Sequence, residues 1–145
     1  MNKTRLLLTA AGVTFILMMA IFIANPAVTR AAEKCEIVTI RGRDNIEPTM
    51  LTVKKGDCVV WINFTGSSPG YPSQSVMLSF KEGEKCIRAT KAPVGFKKDV
   101  PTGCFIAGWL GYGQTASLVF GELGTYDYEI QFKEGGKNTG TIIVK

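Results

Sequence analysis

The chain has 145 residues, 46% of them hydrophobic, with 17 basic and 12 acidic side chains, four cysteines and no histidine. A chain without histidine has no Cys/His zinc site, no c-type haem attachment and no imidazole for acid–base catalysis. The formal charge of +5 misleads, because Lys3, Arg5 and Arg30 belong to an N-terminal leader and the remainder carries 14 basic against 12 acidic groups; that balance lacks the dense basic stripe a nucleic-acid partner needs.

Residues 6–24 form a 19-residue run without charge behind Lys3 and Arg5. Its length approaches that of a membrane span, whereas Asn25-Pro26 and then the small residues Thr29 and Ala31 suit a cleaved export signal. Residues 1–31 are therefore read as a signal peptide or an N-terminal membrane anchor, with the balance toward cleavage. In either case the positive-inside rule places the rest of the chain outside the inner membrane, in the periplasm or on that membrane's outer face. Ala32-Glu33-Lys34 before Cys35 is not a lipidation box.

Residues 35–145 read as one domain. Short strand patterns at 35–41, 50–54, 58–64, 75–80, 115–120, 125–132 and 139–144 alternate with Gly, Pro and Asp turns, which predicts an all-β, two-sheet sandwich. Lys55-Gly56-Asp57 and Glu122-Leu123-Gly124 supply tight turns. Alternation is strict in Tyr126, Tyr128, Ile130 and Phe132 against Asp127, Glu129, Gln131 and Lys133, so one face of that strand belongs to the core. No amphipathic helix of normal length is visible.

Between residues 81 and 98 the cations Lys81, Lys85, Arg88, Lys91, Lys97 and Lys98 outnumber Glu82 and Glu84. This stretch is read as a solvated loop before it is read as a docking patch for an acidic partner. The sequence holds no catalytic constellation: Ser67, Ser68 and Ser73 have no base nearby, and the glycines at 108, 111 and 113 lie in an all-β context unsuited to a phosphate loop. The chain is thus expected not to be an enzyme and to carry no cofactor. Asn63-Phe64-Thr65 matches a glycosylation sequon inside a strand pattern and is given no functional weight. Four cysteines in an exported small domain, without Cys-x-x-Cys spacing, point to two disulfides.

Two separated segments carry a resemblance. Gly124-Thr125-Tyr126-Asp127-Tyr128-Glu129-Ile130-Gln131-Phe132-Lys133, followed by Asn138-Thr139-Gly140-Thr141-Ile142-Ile143-Val144, resembles the blue-copper pattern Gly-x-Tyr-x-Tyr-x-Cys-x-x-His-x-x-x-x-Met-x-Gly-x-(Ile/Val)-x-Val. The stretch from Ile46-Glu47-Pro48 through Gly56-Asp57-Cys58-Val59-Val60-Trp61-Ile62-Asn63 resembles the earlier strands of the same family, the cupredoxins. Gly113-Gln114-Thr115 with Phe120 is similar to the start of its penultimate strand. Only residues 81–112 lack a counterpart.

The resemblance implies a Greek-key sandwich whose four copper-ligand positions hold Gln74, Ile130, Lys133 and Asn138. A blue-copper site needs a thiolate and two imidazoles with a weak axial donor; here the spacing is kept and the donors are gone. Met50 and Met77 are the remaining soft donors, read as core filler before Cu(I) ligands. The resemblance further implies the pairing Cys35–Cys58, at the start of two adjacent parallel strands, and Cys86–Cys104, closing the unmatched stretch. It places the loop Gly108-Trp109-Leu110-Gly111-Tyr112-Gly113 at the former metal end with Lys133. Trp109, Leu110, Tyr112 and Lys133 become candidate partner-binding residues, although Trp109 folding back over the core edge is an equal alternative. The expected role is a protein-binding or complex-associated module lacking type 1 copper, with an extracytoplasmic protein or a membrane or redox complex as partner. The membrane itself is contacted only if the leader stays uncleaved. The competing reading is an electron-transfer or copper-handling protein with unusual or partner-supplied ligands.

Overall fold

The computed structural model describes residues 34–145 apart from 67–71, 100 and 102; the leader, Ser67 and Ser68 lie outside the described residues. In chain order the elements are β1 (Cys35–Gly42), β2 (Asn45–Glu47), β3 (Met50–Val53), β4 (Cys58–Asn63), β5 (Val76–Phe80), α1 (Gly83–Ala89), β6 (Thr90–Val94), β7 (Phe96–Lys98), β8 (Phe105–Ala107), β9 (Thr115–Phe120), β10 (Gly124–Phe132) and β11 (Lys137–Val144). They form two mixed sheets, ordered β2-β1-β4-β9-β6 and β3-β11-β10-β5-β8-β7. No helix among the described residues is long and apolar enough to cross a membrane.

The alternation along β10 decides what lies inside. Tyr126, Tyr128, Ile130 and Phe132 are all buried, while Asp127 faces solvent. From the other sheet β4 brings Trp61, whose ring meets Phe80, Phe96 and Tyr128 edge-on at centroid distances of 5.9, 5.5 and 5.5 Å, the geometry aromatic quadrupoles favour. Tyr128 leaves no space beyond itself: a Cβ built on Gly140, its register partner on β11, would lie 2.2 Å from the ring's Cζ and Oη. Glycine at 140 is thus a packing requirement of Tyr128. The indole Nε1 of Trp61 and the hydroxyl of Tyr128 are neighbours in the core, yet neither has a hydrogen-bond partner among the described residues. Burial, opposed by Trp61, pushes the Tyr128 hydroxyl up to about 12.

β1 runs parallel to β4 with Cys35 in register with Cys58, and a disulfide joins them at a Cα separation of 4.4 Å. Closing a loop of this size, a sequence separation of 23, stabilises the fold by about 3 kcal/mol in the chain-entropy account. The expected second bridge is not formed. The residue of α1 that meets the Cys104 backbone is Gly83, where an added Cβ would fall 2.0 Å from Cys104 Cα. Cys86, one turn on, is instead a buried thiol, and burial pushes it up to about 12.

The stretch 81–112, without a counterpart in the resemblance, is built into the sandwich and is not a free loop. It supplies α1, β6, β7 and β8 and sends Cys86, Phe96 and Phe105 into the core. Lys85 ties α1 to β10 by donating from Nζ to the Thr125 carbonyl at 3.1 Å and by lying 5.3 Å from the Tyr126 ring centroid.

Candidate functional site

β1, β4 and β10 finish, and β5, β9 and β11 begin, at one end of the sandwich. Polar contacts across the two sheets fix this. Asn63, the last residue of β4, is fully buried. Its Nδ2 donates to the carbonyls of Gln74 (2.8 Å) and Leu110 (2.7 Å), and its Oδ1 accepts the amide of Thr65 (2.9 Å). Both amide hydrogens of the sequon asparagine are therefore engaged inside the protein. On its main chain, Asn63 donates to Gln114 O and accepts from Gly113 N. Asn63 thus holds the β4–β5 loop and the loop before β9 in a fixed relation.

The four ligand positions all lie at this end, in different roles. Ile130 has no exposed surface; it is in register with Leu78 on one side and Asn138 on the other, deep in the apolar layer. Gln74 is half-buried and bonds through its main chain, its amide donating to Thr65 Oγ1 (3.0 Å) while its carbonyl accepts from that hydroxyl (2.6 Å). Lys133 is exposed at the start of the β10–β11 turn and donates its main-chain amide to Ser75 O at 2.9 Å. Asn138 uses its amide to close the end, Nδ2 donating to the Arg43 carbonyl and Oδ1 accepting from Thr139 N.

A type 1 copper ion does not fit these residues. A hydrocarbon occupies the thiolate position, a cation one imidazole position, and the axial amide is already engaged. Among the described residues no group of three His, Cys, Asp or Glu side chains is placed to hold a metal ion. The thioethers do not compensate. Met50 lies on β3 and Met77 on β5, three strand spacings apart in the order β3-β11-β10-β5, at least about 14 Å, and further offset along the strands by the register. The expectation of Met50 as core filler also fails, since it is 63% exposed on an edge strand whose inward position is taken by Val53.

Of the candidate partner-binding residues, Trp109 and Tyr112 are exposed at 46% and 55%, and Lys133 is exposed at the same end of the sandwich. Leu110 is not a surface residue. It is buried, exchanges two main-chain hydrogen bonds with Val76, and so anchors the loop from which its neighbours project. Gly111 N donates to Gln114 Oε1 at 2.7 Å, tightening the same loop. Tyr112 meets Phe64 edge-on at 5.8 Å. Sequence reasoning did not assign Phe64 to this surface or identify Asn63 as its organiser; the Trp-x-Asn pattern that ends β4 was the available signal.

The order of strands, the β4 and β10 signatures and the vestige of a four-ligand end define a cupredoxin-like sandwich, a divergent one in which the donors are replaced. Solved structures similar to the chain are amicyanins. A reduced Cu(I) form at pH 4 of a proline variant is 24% identical, with 80% of this chain and 87% of that one covered, at TM-score 0.50. An oxidised methionine-to-lysine variant is 25% identical, with 77% and 82% covered, at TM-score 0.50. No protein-family model and no curated protein matches the chain.

Proposed function

We propose that this is an exported, non-enzymatic cupredoxin-like domain that has exchanged the type 1 copper site for a protein-binding surface at the same end. The supporting observation is the loop 108–114, which exposes Trp109 and Tyr112 while its backbone is pinned through Leu110, Gly113 and Gln114. An exposed aromatic side chain supplies large contact area, and a loop already held in place loses little further freedom on binding. The partner is an extracytoplasmic protein, met where the N-terminal segment delivers or tethers the domain.

Trp109→Ala tests the reading. A half-exposed tryptophan used for docking is expected to leave the melting temperature nearly unchanged and to abolish recovery of the proteins that co-purify with the full chain from membranes. A tryptophan serving the core would instead cost roughly 3–5 kcal/mol. A large fall in melting temperature, or undiminished recovery, sinks the proposal.

A further inference from the structure

A second surface adjoins the aromatic pair. Between the β1–β2 turn and the residues just after Phe64 lies a cleft of about 520 Å³, whose lining includes Arg41, Arg43, Asp44, Thr65 and Gln74. Both arginines are exposed, and neither makes an ion pair among the described residues. Arg43 is nevertheless held. Its side chain lies against the β10–β11 turn, where a Cβ on Gly136 would be 2.8 Å from Nε, and its carbonyl is tied to Asn138. Gln74 also lines the cleft, and its hydrogen bonds among the described residues are made by its main chain.

Guanidinium forks suit planar carboxylates, which they engage by paired hydrogen bonds. Asp44 in the same lining reduces the cleft to a net charge of +1, which disfavours a polyanion and leaves room for one or two carboxylates. Thr65 and Gly66 line the cleft immediately after Phe64, whose amide donates to Ile40 O beside Arg41, so Phe64, which meets Tyr112, adjoins the cationic cleft along the chain.

We infer that the Arg41–Arg43 cleft receives Asp or Glu side chains of the partner protein, from a segment whose apolar part rests on Phe64 and Tyr112. The inference builds on the protein-binding reading and specifies the partner as an acidic segment carrying aromatic or aliphatic residues. Recognition then weakens with salt, as partly exposed charge pairs do.

The test uses the full-length chain in detergent and two fluorescent peptides of equal length, one alternating Glu with Phe and Leu, the other with Gln in place of every Glu. Fluorescence anisotropy is expected to show binding of the acidic peptide that declines with salt, and little binding of the neutral one. Arg41→Gln/Arg43→Gln should weaken it by about tenfold or more, the loss of charge-assisted hydrogen bonds. Lys97→Gln/Lys98→Gln removes the same charge from β7, outside the cleft, and should change affinity less than about twofold by screening alone. Equal losses in the two charge variants, equal binding of both peptides, or no binding of the acidic peptide overturns the inference. The broader reading fails separately: if Trp109→Ala leaves recovery of co-purifying proteins intact while the arginine variants still lose the peptide, the cleft stands and the tryptophan surface does not.

Discussion

Replacing Asn63 with alanine removes three hydrogen bonds, and the structure shows that they are not equivalent. Gln74 O keeps the Thr65 hydroxyl at 2.6 Å, and Leu110 O keeps the Val76 amide at 3.0 Å. For these two acceptors the loss is the net value of a bond, about 1 kcal/mol each. Thr65 N has Asn63 Oδ1 as its acceptor and is left unsatisfied in a buried residue, which costs about 1–3 kcal/mol. The total, about 3–5 kcal/mol, is a large fraction of the stability of a domain this size. Asn63→Asp should be worse despite its shape, since it aims an oxygen at two carbonyl oxygens where the amide donated. Urea denaturation of the full chain, with ΔG extrapolated to water, measures both. A loss below about 1 kcal/mol for Asn63→Ala, or a milder loss for Asn63→Asp, refutes the assignment of Asn63 as the organiser of this end.

Three further outcomes are expected. Gly140→Ala places a methyl group against the Tyr128 ring and should destabilise by about 1–3 kcal/mol, read from the same urea curves; an unchanged midpoint contradicts the close approach. Stability should fall at alkaline pH: Cys86 and Tyr128 are each pushed by burial up to about 12 from ordinary values of 9.0 and 10.0, so the unfolded chain loses its protons first. Their contribution is fully present below pH about 9 and declines as pH rises toward about 12; a urea midpoint flat across that window refutes it. Cu(II) added to the disulfide-intact protein should give no intense visible thiolate-to-copper band, because Ile130 holds the thiolate position; such a band would falsify the ligand-loss assignment.

Much of the sandwich was legible because its signals are local. Tyr126 to Phe132 alternate without exception, and the burial of that strand follows residue by residue. The Cys35–Cys58 pairing was implied once the parallel relation of two strands was recognised, and the register confirms it. The segment 81–112 was not legible as structure, for a physical reason. β7 and β8 are only three residues long, too short for a period to declare itself. Position 83, the start of α1, must be glycine because the Cys104 backbone leaves no space for a side chain there, a tertiary constraint with no local pattern. The second disulfide was likewise a tertiary matter: Cys86 is buried as a thiol in the core cluster, which no local pattern announces. Leu110 looked like a loop residue because it sits between glycines and aromatics; an isolated bridge to Val76 buries it. At the site, the lost ligands could be read from spacing alone, whereas the roles of Asn63 and Asn138 and the cleft at Arg41 and Arg43 exist only where distant loops meet.

The replacements for the ligands explain how the end remains ordered without them. A metal ion holds loops together by coordination from several elements at once, so removing donors should leave those loops loose unless other bonds take over. Here Ile130 fills the interior position with hydrocarbon and continues the apolar layer between Leu78 and the strand partner Asn138. Asn138 binds the β1–β2 turn through the Arg43 carbonyl, and Asn63 joins the segments before β5 and β9. Tyr112 is braced against Phe64 from the neighbouring loop. Each tie is a neutral hydrogen bond or an apolar contact, requiring neither an oxidation state nor a bound cofactor. The loops are consequently held with their polar and aromatic side chains outward, and binding a partner need not also order them. That division, ties inward and aromatics and arginines outward, is what the proposed recognition surface requires and what a coordination site, with its donors turned inward on one ion, does not provide.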